Sequence, residues 1–133
     1  MDLLFVYGTL LHSANFFGSY LQNNSRHINK GKFKGTLYDI GEYPGAVYDK
    51  NISTYVYGDL VSVFNREETF KILDEYEGYG NDEIQPNEFI RKIIEVEIES
   101  NNIQCWTYLY NLPVNQFLRI DSGNYKDYLS KRI

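Results

Sequence analysis

One cysteine, Cys105, is the only thiol in the chain, so no disulfide can form within it. Residues 103–110 around it read as strand, and neither a helix N-terminus nor nearby cations are in place to acidify it; packing rather than nucleophilic chemistry is expected of it. Three prolines make no proline-rich segment, no serine- or glycine-rich run is long enough for a linker, and no period of about 20 to 50 residues repeats. One domain spanning residues 1–133 is expected. Basic residues are also few: 13 Lys and Arg against 18 Asp and Glu give a net charge of −5 without a basic stripe, which argues against a nucleic-acid partner. Lys30, Lys32 and Lys34 alternate as on a solvated strand face. There is no long hydrophobic run. The first apolar stretch lacks a basic n-region and stops at Gly8, before a signal peptide or membrane span could form, so a cytoplasmic protein without membrane contact is expected. The two histidines, His12 and His27, belong to no Cys/His cluster, and no metal is expected.

What the chain does have is apolar and aromatic: 43% hydrophobic and 17% aromatic residues suffice for a core without covalent staples. Residues 3–7 read as a short buried strand, and Phe16, Phe17, Tyr20 and Leu21 suggest a short helix after it. Residues 32–40, 45–49 and 54–64 read as strands punctuated by Gly41, Pro44-Gly45 and Asn51. Ile94, Val96 and Ile98 alternate with Glu95, Glu97 and Glu99, a half-buried strand. Ser100-Asn101-Asn102 is expected to turn the chain, and residues 103–112 return antiparallel with Trp106, Tyr108 and Tyr110 on one face. A helix is expected to start at an Asn65 N-cap with Glu68 completing a capping box, and to end near Gly78. Many strands and few helices, without repeating βα units, imply an α+β fold: a small mixed barrel or strongly curved sheet flanked by a few short helices, with a site at the barrel mouth.

Phe70, Leu73 and Glu77 are spaced by three and four and share one helix face, which puts a carboxyl where the apolar stripe points. If the last turn persists, burial would raise that carboxyl toward neutrality, as a general acid/base requires; if the helix frays after Tyr76, Glu77 is an ordinary solvated residue. At Tyr7-Gly8-Thr9-Leu10 a strand breaks at a glycine and leaves successive N–H groups able to hold an oxyanion, although a plain strand-to-loop glycine has the same appearance. No serine-hydrolase elbow, phosphate-binding loop or zinc-protease motif is present. Residues 74–85 are acidic, but Tyr76 and Gly78 stand where a calcium loop counted from Asp74 needs oxygen ligands.

Phe5-Val6-Tyr7-Gly8-Thr9-Leu10, Gly35-x-Leu37-Tyr38-Asp39-Ile40-Gly41-x-Tyr43-Pro44 and Val56-x-Gly58-Asp59-Leu60 occur in that order, followed by Leu73-Asp74-x-Tyr76-Glu77-Gly78-Tyr79, Arg91 and Ile120-x-Ser122-Gly123-Asn124-Tyr125. Together these resemble the γ-glutamylcyclotransferase family, in the branch of γ-glutamylamine cyclotransferase and AIG2-like proteins. The resemblance implies Glu77 as catalytic acid/base and Tyr7, Gly8, Thr9 and Leu10 as the loop that binds the γ-glutamyl group. It places Tyr43, Arg91, Ser122 and Tyr125 in or near the pocket; from its own position, Arg91 shares strand parity with an exposed Glu95, and Tyr125 could simply cap the core. The implied substrate is a small γ-glutamyl amide, closed to 5-oxoproline with no cofactor. The chain departs from the family pattern at Phe89, where a tyrosine precedes the arginine by two, and at Leu11-His12-Ser13-Ala14. Two other functions use the same residues: a non-catalytic binding protein on this fold, and an amide hydrolase that uses Glu77 and water. The leaving amine and the oligomeric state have no signature in the residues.

Overall fold

Five strands close into a barrel because each finds two partners, and the expected α+β architecture is the observed one. The structure is a computed structural model that describes residues 1–10 and 14–131; Leu11, His12 and Ser13 lie outside the described residues. In chain order the elements are β1 (Leu3–Val6), α1 (Phe16–Asn23), β2 (Ser25–Asp39), β3 (Pro44–Tyr48), β4 (Tyr55–Val63), α2 (Arg66–Glu77), β5 (Phe89–Ile98), β6 (Asn101–Tyr110), β7 (Leu118–Ile120) and α3 (Tyr125–Ser130). β1 pairs antiparallel with β4 and parallel with β6, β4 pairs with β2, β2 crosses to β5, and β5 returns to β6. The single parallel pair makes the barrel mixed. β3 and β7 add to the far end of β2 as a short second sheet.

Both faces of the central strands are covered, and alternation sorts their side chains into two cores. Phe5, Phe33, Leu60, Val96, Cys105 and Leu109 pack together on one face. Leu4, Val61 and Tyr108 face the other way, against Leu21 of α1 and Phe70 and Leu73 of α2. Burial pushes the Cys105 thiol up to about 12, so it stays protonated at neutral pH.

β2 starts seven residues before the strand expected at Lys32 and runs through two glycines, because close backbone approach at the strand crossings requires them. A Cβ on Gly31 would sit 2.9 Å from the Glu97 carbonyl oxygen, and one on Gly35 would sit 2.2 Å from that of Val47. The β5–β6 hairpin has the expected pairing but a tighter turn: Ile98 pairs with Asn101, which leaves Glu99 and Ser100 as the loop, with Glu99 at φ 56°.

The start of α2 corrects one expectation. Asn65 is left-handed at φ 49° and its side chain makes no cap hydrogen bond. Instead the Thr69 hydroxyl donates to the Phe64 carbonyl at 2.7 Å, while Glu67 and Glu68 in the first turn complement the helix dipole. The far end matters more for the site. Gly78 at φ 72° closes the helix, with its N–H donating to the Glu75 carbonyl and the Tyr79 N–H to that of Asp74. This cap keeps the last turn helical through Glu77. No helix among the described residues is long and apolar enough to cross a membrane.

Candidate active site

Tyr7 fixes the loop that follows β1. Its ring packs edge-on against Phe33, while its hydroxyl donates to the Tyr108 carbonyl at 2.6 Å and accepts from the Ala46 N–H at 3.2 Å. Three strands are thereby tied at the point where Gly8 begins to turn. Burial raises the phenol above its ordinary range, so it stays a neutral donor. Gly8 lies under Pro44, whose side chain would come within 3.3 Å of an added Cβ. Among the described residues, no backbone hydrogen bond of the turns and loops uses the N–H of Gly8, Thr9 or Leu10.

Tyr7→Phe is expected to unpair a buried carbonyl and a buried N–H together. Each orphaned group costs about 1–3 kcal/mol, and denaturant unfolding should show a loss of about that size or more. Unchanged stability would mean that the loop is held by other contacts.

The loop faces the end of α2 across a cavity of about 110 Å³, which Tyr7, Gly8, Thr9 and Leu10 line together with Tyr43 and Glu77; Phe89, Thr107 and Tyr108 contribute to its walls. Phe70 and Leu73 anchor the helix face in the core, and Glu77, one turn on, reaches the cavity. Its carboxyl is raised from 4.5 to about 8, first by burial, then by the charges of Glu88 and Asp74. Glu75, two residues earlier, is exposed. The structure therefore brings together Glu77, Tyr43 and the loop of Tyr7, Gly8, Thr9 and Leu10.

It does not bring Arg91, Ser122 or Tyr125 to that cavity, which corrects their expected place in the pocket. The Arg91 guanidinium is sandwiched between the rings of Phe70 and Trp106, at 4.5 and 4.4 Å from their centroids. It binds Asp74 through two nitrogens at 2.8 and 3.1 Å. The Tyr108 hydroxyl donates to the same carboxylate at 2.6 Å. This network faces an open trough of about 750 Å³ on another side of α2, and Asp74 is already engaged there by both partners. Arg91 thus bears on Glu77 only through the α2 residue one turn before it. Ser122 accepts from the Asn124 N–H at 3.3 Å in an exposed turn, and Tyr125 is buried in the barrel core, stacked on Tyr128 at 6.2 Å. His27 is a surface residue bonded to Asp59 at 2.8 Å.

One neighbour of the cavity carries no sequence signal: Glu88 accepts a hydrogen bond from the Tyr43 hydroxyl. Phe89, the expected departure from the family pattern, occupies the cavity wall. Glu88 lies 11 residues beyond the end of α2 at the foot of a strand, where only tertiary structure reveals its nearness to Glu77. Among the described residues, no group of three or more His, Cys, Asp or Glu side chains is placed to hold a metal ion.

The closed five-stranded mixed barrel with short flanking helices is the architecture of the γ-glutamylcyclotransferase fold. The chain belongs to the gamma-glutamyl cyclotransferase, AIG2-like family, whose pattern matches residues 4–127. It is 33% identical over 131 residues to MJ1514 of Methanocaldococcus jannaschii, covering 96% of this chain and 98% of that protein. It is 32% identical over 129 residues to the gamma-L-glutamyl-butirosin B gamma-glutamyl cyclotransferase of Niallia circulans, covering 96% of this chain and 78% of the relative. Among solved structures, the solution structure of YtfP from Escherichia coli superposes with a TM-score of 0.68 at 27% identity, over 95% of this chain and 97% of that one.

Proposed function

We propose that the protein cyclises the γ-glutamyl group of a small amide, releasing 5-oxoproline and a free amine. The observation that carries this reading is one small cavity lined both by Glu77, whose carboxyl is raised to about 8, and by the Gly8-Thr9-Leu10 loop, whose N–H groups make no backbone hydrogen bond in the turns and loops among the described residues. The substrate's own α-amine attacks its γ-carbonyl, so nucleophile and electrophile arrive joined; well-oriented intramolecular attack reaches effective molarities of ~10⁵ M or more. What is left for the protein is proton transfer and charge. Glu77 takes the proton shed by the attacking nitrogen and delivers it to the departing amine, ending each cycle as it began. The loop N–H groups hold the tetrahedral oxyanion, a contribution of about 3 kcal/mol per donor in comparable sites. No step calls for a cofactor, and the site of action is expected to be the cytoplasm. The volume of about 110 Å³ accommodates a short acyl chain, which leaves the departing amine at the rim.

The test is a panel of γ-glutamyl amides of amino acids, alkylamines and diamines, scored by mass spectrometry for 5-oxoproline and for the freed amine. Stoichiometric release of both is expected from at least one member. Glutamate in place of 5-oxoproline would make the protein a hydrolase, and no product from any member would make it a binding protein on this fold.

A further inference from the structure

Tyr108 connects the two halves of the site. In the β5–β6 ladder it stands opposite Arg91, and both side chains meet on the Asp74 carboxylate. Asp74 is also where the end of α2 is tied. Its carbonyl accepts the Tyr79 N–H at 2.8 Å and the Gly78 N–H reaches it too, so the turn that carries Glu77 hangs from this residue. In the opposite direction the Tyr108 carbonyl accepts the Tyr7 hydroxyl at 2.6 Å, one residue before the Gly8-Thr9-Leu10 loop. Carboxyl and loop, remote in sequence, are thus both referenced to one residue of β6, which itself lines the cavity.

Attachment of α2 to the barrel does not need this network. Phe70 and Leu73 already bury the helix face. The Asp74 and Arg91 side chains are only 20% and 19% exposed, and an ion pair so far withdrawn from water gives back much of its attraction as desolvation cost. What it adds over an apolar contact is geometry: a two-nitrogen fork and a phenol together admit one placement of the carboxylate.

We infer that Tyr108 and Arg91 are positioning residues for ring closure: by clamping Asp74 they set the last turn of α2, and with it the Glu77 carboxyl, against the loop that Tyr108 holds through Tyr7. This inference rests on the cyclotransferase reading. It gives both side chains an effect on rate that is exerted through Asp74 and not on the reacting atoms.

The experiment measures kcat and KM separately, on the γ-glutamyl amide that wild type turns over fastest, for Tyr108→Phe, Arg91→Lys and the double variant. All are assayed at a temperature where circular dichroism shows them fully folded. Tyr108→Phe removes one oxygen, and Arg91→Lys keeps the charge but loses the fork. Tyr128→Phe is the control, because it removes another bond from a tyrosine to a carboxylate, that of Tyr128 to Asp39 at 2.5 Å, away from the cavity. Each of the two single variants is expected to lower kcat by about 10- to 100-fold with KM within about threefold of wild type, the effect of a small misplacement of a catalytic group. The double variant should fall no more than about threefold below the worse single one, since both act through Asp74, and Tyr128→Phe should keep wild-type kcat. A role confined to holding the fold would lower melting temperatures and leave kcat of the folded protein unchanged. That result, or losses that multiply in the double variant, would overturn the assignment while leaving the cyclotransferase reading intact. Amide hydrogen exchange supplies a readout independent of turnover: protection at Glu77 and Gly78 should drop in Tyr108→Phe and persist in Tyr128→Phe. If wild type turns over no amide, the cyclotransferase reading fails; the clamp on the last turn then stands if exchange separates the two variants in this way, and falls if they are protected alike.

Discussion

Replacing Glu77 with glutamine is expected to slow turnover by orders of magnitude and to stabilise the protein at the same time. Glutamine keeps the volume and hydrogen-bonding reach of the side chain but cannot carry a proton through the cycle. General acid/base catalysis supplies about 10² to 10⁴-fold, so kcat should fall by about that factor while KM changes far less. The gain in stability follows from the raised carboxyl. In the unfolded chain Glu77 ionises near 4.5, whereas in the folded protein it holds its proton to about 8. Between those values the unfolded state is favoured by ionisation, so stability falls as pH rises from 4.5, and above about 8 the loss is complete and constant. At pH 7 the gap amounts to roughly 3 kcal/mol at about 1.36 kcal/mol per unit, an upper bound because a glutamine amide must also be desolvated. Thermal unfolding should therefore show Glu77→Gln melting several degrees above wild type at pH 7 and level with it at pH 4, where both states are protonated. Glu75→Gln is the control. It sits about 200° around the same helix and is exposed, so its effect on activity and stability should stay within about 0.5 kcal/mol. A Glu77→Gln variant that is inactive yet less stable would mean that the carboxylate serves the structure rather than the chemistry.

That Glu77 could be found in the sequence follows from its position. Helix periodicity is local, and three residues at spacings of three and four are enough to place an acid on a buried stripe; only the persistence of the last turn was open, and Gly78 in the left-handed region decides it. The β5–β6 hairpin was legible for the same reason, with alternation on both strands and a short connection. The features that escaped are those that depend on distant segments. Gly31 lies outside the strand expected from Lys32, yet inside β2 it and Gly35 let Glu97 and Val47 approach at distances no Cβ would allow. β7 and α3 are short elements that pack against β2 and the barrel, and neither has a periodicity of its own. Arg91 stands in a family motif that invites a substrate role, but its bonds go to Asp74, and its packing is between two rings from α2 and β6. Glu88 was invisible because its closeness to Glu77 is purely tertiary.

A pH profile of kcat/KM is expected to be a bell with its maximum above pH 8, and its acid limb can assign the acid/base. Attack on the γ-carbonyl needs one proton shared between Glu77 and the substrate's α-amine: with two protons neither group is a base, and with none no acid is left for the leaving nitrogen. The acid limb belongs to Glu77 at about 8 and the alkaline limb to the substrate's α-amine, which the neighbouring α-carboxylate holds above the ~8 of a peptide N-terminus. At pH 8 about half of Glu77 is ionised and at pH 6 about one in a hundred, so kcat/KM should be ~50-fold lower at pH 6 than at pH 8. Glu88→Gln turns this profile into an assignment. Removing the largest charge that raises Glu77 should move the acid limb to lower pH, while the alkaline limb stays in place because it belongs to the substrate. The shift should appear with every amide that is turned over, because it belongs to the protein. An acid limb that is flat between pH 6 and 8, or one that Glu88→Gln leaves unmoved, would remove Glu77 from the proton-transfer step.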